Sequence, residues 1–125
     1  MDDGGGLESA YACSIVDEAE SLLRRLALND EESVGRVLQS SPDADSDAAL
    51  VPKVDLLVRL GALLALGAAT TSLRAAVERA RHAGATEAEI VGVLIAVAPA
   101  VGLARIVSTA PKLAIAIGYD IDLDE

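Results

Sequence analysis

Few side chains in this sequence could carry out chemistry. Cys13 is the only cysteine and His82 the only histidine. A single thiol cannot form an intrachain disulfide, and thiol-disulfide cycling needs an attacking and a resolving sulfur. Cys13 lies on the flank of an amphipathic stretch and reads as a small hydrophobe or an inert thiol. His82 falls two residues before Gly84, where an imidazole suits the negative end of a helix dipole, and no cysteine or acid stands near it at metal-ligand spacing. Aspartates alternate at Asp43, Asp45 and Asp47 and again at Asp120, Asp122 and Asp124. A calcium loop also needs Gly at its sixth position and Glu at its twelfth. The first run has Ala48 and Val54 there and the second reaches the last residue, so no metal site is expected. The remaining candidates are Arg59, Arg74 and Arg105, able to grip a carboxylate bidentately, and the hydroxyls of Thr70 and Thr71. Helix capping and solvated surface charge compete with those roles.

The elements that must position these groups are helical. The chain has 24 Ala and 18 Leu, no Phe or Trp and two Tyr, a composition of helix formers without the aromatics of a sheet protein. An all-α bundle of about six helices follows. Residues 1–6 read as a disordered tip and 7–40 as acidic N-terminal helices, the first with its stripe at Ile15, Val16, Ala19, Leu22, Leu23 and Leu26. Asn29 or Asp30 is expected to cap the second, with Val34, Val37 and Leu38 inward. Residues 41–52, rich in Ser, Asp and Pro, read as a linker.

The core is expected at 53–119. Its first helix carries Leu56, Leu57, Leu60, Leu63 and Leu64 on one side and Gly61, Ala62 and Ala65 on another, where a neighbour can approach closely. In the next helix Ser72 is a candidate cap and Arg74–Glu78 a candidate i,i+4 pair. Gly84 suits a left-handed closure, and Thr86 with Glu89 spells a capping box. The helix it opens is apolar nearly all round, so it is expected at the centre of the domain or of an oligomer and as the best protected element. Pro99 and Gly102 are expected to end it, and Pro111 to kink the last helix before Gly118. Residues 120–125 form an acidic tail.

Charge separates these regions. Residues 1–50 have a net charge of −9, residues 51–119 of +3 and the tail of −4, for −10 overall. An acidic surface repels phosphate backbones and anionic membranes, so no nucleic-acid or membrane partner is expected, while a small anionic metabolite near the core arginines is. The acidic N-terminus is unlike a signal peptide, and no apolar run reaches the ~20 residues that span a bilayer. A cytoplasmic protein is the expectation.

The junction Ala80-x-x-x-Gly84-Ala85-Thr86-x-x-Glu89-Ile90, between a small-residue helix and an apolar one, resembles the carboxymuconolactone decarboxylase family, which includes the alkylhydroperoxidase D type. The resemblance implies that family's helical fold and a homo-oligomer (trimer, hexamer or dimer). In its redox branch a C-x-x-C-x-x-x-H motif precedes this anchor. The cysteine positions fall here on Thr70 and Leu73 and the histidine position on Val77. In its decarboxylase branch a Leu is usual where Leu73 lies, a His where Val77 lies and an acid where Gly92 lies, and only the first is present. The resemblance therefore implies an oligomeric protein without dithiol chemistry, noncatalytic or with a modified small-molecule site, and with no cofactor. The alternatives are a lyase or isomerase acting on a small anionic lactone or carboxylate, and a structural interaction module.

Overall fold

The computed structural model describes residues 17–42 and 50–120, in two compact units that divide after Ala49. The described residues are helical throughout and contain no strand. The tip, Cys13, the aspartates at 43, 45 and 47, and the tail beyond Asp120 lie outside them.

In the first unit, α1 (residues 17–27) is followed by α2 (Glu31–Leu38). Two of the three residues between them divide the capping work. Asn29 takes the left-handed conformation (φ 66°) and closes α1 with Asn29 N–H to Leu26 O and Asp30 N–H to Arg25 O, both 3.0 Å. Asp30 caps α2, its carboxylate accepting from the Ser33 N–H at 3.2 Å and the Ser33 hydroxyl at 2.6 Å. The Ser33 hydroxyl, and then its backbone N–H, hold the Asp30 carboxyl below its ordinary value. Of the expected inward residues of α2, Val34 is half-buried, but Val37 and Leu38 are exposed. An eight-residue helix can bury only the narrow face on which Ser33 lies.

The second unit consists of α3 (Pro52–Leu66), α4 (Thr70–His82), α5 (Glu87–Val101) and α6 (Leu103–Ile117). Leu56, Leu60 and Leu64 of α3 meet Leu73, Val77 and Ala80 of α4, Ile90 of α5, and Leu113, Ala116 and Ile117 of α6. The principal packings are α4 on α6, α4 on α3, and α3 on α5. Gly84 (φ 101°) closes α4 as expected. Gly84 N–H bonds to Arg81 O and Ala85 N–H to Ala80 O, each at 2.9 Å, and the buried Ala85 plugs the end of the core. Arg81 fastens the same end of α4 to α6 by donating to Ile117 O at 2.9 Å.

The capping box of α5 is complete. Glu89 N–H donates to Thr86 Oγ1 at 3.1 Å and Thr86 N–H to Glu89 Oε1 at 2.9 Å. Lys53 reaches the other carboxylate oxygen of Glu89 at 3.0 Å, joining the starts of α3 and α5. The Thr86 N–H and then Lys53 hold the Glu89 carboxyl below its ordinary 4.5. A depressed folded value means that this stabilisation is complete above the unfolded pKa and is lost as pH falls through the folded one. Thr86→Ala should cost about 0.5–2 kcal/mol in urea unfolding at neutral pH. Glu89→Gln should flatten the acid limb of stability against pH below about 4.5. An unchanged acid limb would mean that the box contributes nothing to this unit.

Several expectations are corrected. Ala69, not Ser72, is the N-cap of α4, and no side chain caps it, because the turn after α3 brings the helix in at Thr70. Glu78 pairs with Arg81 at 3.8 Å instead of with Arg74. Pro99 does not stop α5, which runs on to Val101 before Gly102 turns the chain. Pro99 and Ile95, four residues before it, are both exposed, so water can bond the carbonyl that the proline leaves unpaired. Pro111 lies inside α6 as expected, with Val107 exposed four residues before it. For α5, expected at the centre of the domain or of an oligomer, the first setting falls away. It is not at the centre of this unit, for only Ile90 is fully buried, Val91, Val93, Leu94 and Val97 are half-buried, and Ile95 is 67% exposed.

Candidate functional site

The positions that the resemblance singles out, Leu73 and Val77, lie on the inner face of α4. Leu73, Val77 and Ala80 recur at helical spacing and are completely buried against α3 and α6. A side chain at Val77 meets packed hydrocarbon and has no route to solvent. Thr70 is the first residue of α4 and half-buried; Thr71 beside it is exposed.

The three candidate arginines do not converge. Arg59 lies along α3 and bonds Asp55 at 2.5 Å. Arg74 is exposed on α4. Arg105 extends from α6 over Gly67, so that a Cβ at Gly67 would come within 2.2 Å of the guanidinium. Gly67 ends α3 (φ 74°), and the cation there complements the carbonyl end of the α3 dipole. Arg105 thus approaches the turn leading to Thr70. His82 is the exposed last residue of α4, with Arg79 and Arg81 in the same turn, all suited to the negative end of that helix.

A concavity of the second unit lies elsewhere, between α3 and α5. It is an open cleft of about 560 Å³, lined by Val54, Leu57, Val58, Gly61, Ala62, Ala65, Val93, Ala96 and Val97, and it contains no charged or hydroxyl side chain. The small-residue flank of α3 permits the close approach that its composition suggests. A Cβ on Gly61 would touch Val93 and Val97 at 3.3 and 3.4 Å. A smaller hollow of about 380 Å³ is bordered by Val101, Ala104, Arg105 and Ser108.

Sequence reasoning missed two polar features. The Thr109 hydroxyl is 99% buried and has no hydrogen-bond partner among the described residues. The Tyr119 hydroxyl donates to Glu87, which raises the tyrosine's pKa and ties the end of the core to the start of α5. Nothing in the spacing of either residue signals this. Among the described residues no group of His, Cys, Asp and Glu is placed to hold a metal, and no helix is long and apolar enough to cross a membrane.

Compared with known proteins, residues 39–114 match the profile of the carboxymuconolactone decarboxylase family. Neither the curated proteins nor the solved structures gave a match.

Proposed function

This chain belongs to the carboxymuconolactone decarboxylase family, and on that premise we propose that it is an oligomeric member without dithiol redox chemistry whose usual catalytic position has become part of the core. One observation carries this reading. Leu73 and Val77, on which the family's reactive cysteine and histidine positions fall, are fully buried among apolar side chains. Proton transfer needs a titratable group within hydrogen-bond reach of a substrate, and thiol exchange needs two sulfurs. Hydrocarbon at these positions supplies neither. The arginines that would orient a carboxylate are spread over α3, α4 and α6, and none of them lines the α3–α5 cleft.

The oligomer is argued from surplus apolar surface. Val58, Leu66, Ile95, Leu103 and Val107 are all more than half exposed, an extent that marks association surfaces in soluble proteins. Sedimentation at micromolar concentration should show a dimer, trimer or hexamer. Thiol-dependent peroxide turnover should be absent both from the protein and from its Cys13→Ser variant. Turnover that disappears with Cys13 would sink the redox part of the reading.

A second reading, a site for a small carboxylate, is favoured only by Arg105 at the turn before Thr70. Under it, a dicarboxylate titrated into the protein should give heat that vanishes in Arg105→Ala. The same heat in both proteins, or none in either, leaves Arg105 as a cap on α3.

A further inference from the structure

We propose that the α3–α5 cleft and the hollow at the start of α6 together bind one medium-chain fatty carboxylate, its hydrocarbon tail along the cleft and its headgroup on Arg105. The inference rests on the carboxylate reading above and names the class of carboxylate.

Three observations support it. The first is continuity. Val97 lines the cleft, and Val101, one turn further along α5, borders the hollow. Ala65 also lines the cleft, and two residues on, Gly67 lies under the Arg105 guanidinium. Residues four apart share a helix face, so the two depressions meet where α3 and α5 end. The second is the contrast between them. No charged or hydroxyl side chain lines the cleft, so a polar metabolite there would lose hydration and gain no hydrogen bond. The hollow is bordered by Arg105 and Ser108 and by no acid. The Arg105 side chain makes no ion pair or hydrogen bond with any described residue, and no side chain caps the first N–H groups of α6. A carboxylate in the hollow gains a guanidinium and the positive end of a helix. The third is length. The cleft follows α3 from Val54 to Ala65, about 16 Å of helix rise, which suits an extended medium-chain tail better than a short dicarboxylate. A chain of net charge −10 is repelled by anionic membranes, so the ligand is taken as a free monomer from water.

The test titrates dodecanoate, below its micelle-forming concentration, into the full chain by calorimetry. Affinity should rise by about two- to fourfold for each methylene added between octanoate and dodecanoate, since each leaves water on entering the cleft. Dodecanol, which lacks the charge, should bind at least about tenfold more weakly than dodecanoate. Dodecanoate should weaken by at least about tenfold in Arg105→Gln, which removes the cation, and in Ala62→Glu, which puts a carboxylate in the cleft. Both residues are exposed, so unchanged helical circular dichroism is expected of both variants. Dodecanoate that binds no tighter than butanoate would overturn this inference and leave the carboxylate reading standing. No binding of dodecanoate, butanoate or a dicarboxylate would overturn both. Dodecanoate that binds unchanged in either variant lies elsewhere on the protein, which overturns the proposal. A wild-type oligomer that excludes dodecanoate and dissociates in Ala62→Glu would show a second copy in the cleft, and cosedimentation with phosphatidylglycerol vesicles would show a membrane contact. Either result overturns it.

Discussion

Val77→His should destabilise the protein by about 2–6 kcal/mol and should create no activity. Val77 has no exposed surface and lies in the cluster with Leu60, Leu73 and Leu113. The larger imidazole overpacks the site, at about 1–3 kcal/mol, and brings ring nitrogens that find no partner among apolar side chains, at about 1–3 kcal/mol more. Those costs approach the whole stability of many domains, about 5–15 kcal/mol. The loss should deepen in mild acid. Burial depresses the pKa of a histidine in the folded state, so below about pH 6.5 the unfolded chain binds the proton and gains stability that the native state does not. Urea unfolding at pH 8 and pH 5.5 measures both effects. A variant within about 1 kcal/mol of wild type at both pH values would show that space for a ligand adjoins α4 at this position, and would end the noncatalytic reading.

Where local chemistry dictates an element, it could be read from the sequence. Thr86 and Glu89 specify the start of α5 because each satisfies a backbone donor of the other, and Gly84 specifies the end of α4 because the closure needs a positive φ. The ion pairs follow a finer rule. Asp55–Arg59 and Glu78–Arg81 both place the acid nearer the helix N-terminus, the order that agrees with the dipole, whereas the expected Arg74–Glu78 pair reverses it.

The surroundings of α5 and of the arginines were not legible, for different reasons. Apolar periodicity shows that a face leaves water but not what covers it, so a helix apolar on all sides is compatible with a monomer core or with an interface. The arginine side chains are long enough to reach several neighbours, and their destinations depend on helix packing. The position of Arg105 over Gly67 requires α6 to lie against the end of α3, which no spacing within either segment encodes. Leu73 and Val77 were legible as missing catalytic groups, but that they complete the core is a tertiary fact.

Ile90→Ala should cost about 2–5 kcal/mol, and Leu94→Ala, one turn further along α5, less than half as much at high dilution. Ile90 is completely buried in the core cluster that α5 shares with α3, α4 and α6, so the truncation removes hydrophobic transfer energy and leaves a cavity that the packed core cannot fill. Leu94 is only half-buried, so its truncated atoms were partly in water already and the neighbouring space is open. Protein concentration adds a second axis. Anything that binds the folded chain stabilises it by mass action, so in an oligomer that covers the outer face of α5 the Leu94→Ala deficit should grow on going from nanomolar to micromolar protein while the Ile90→Ala deficit holds nearly constant. Urea unfolding followed by circular dichroism and by a sensitive fluorescent label spans that range. Equal deficits for the two variants at every concentration would mean that Leu94 is buried within the single chain, and the arrangement of α5 described above would be wrong.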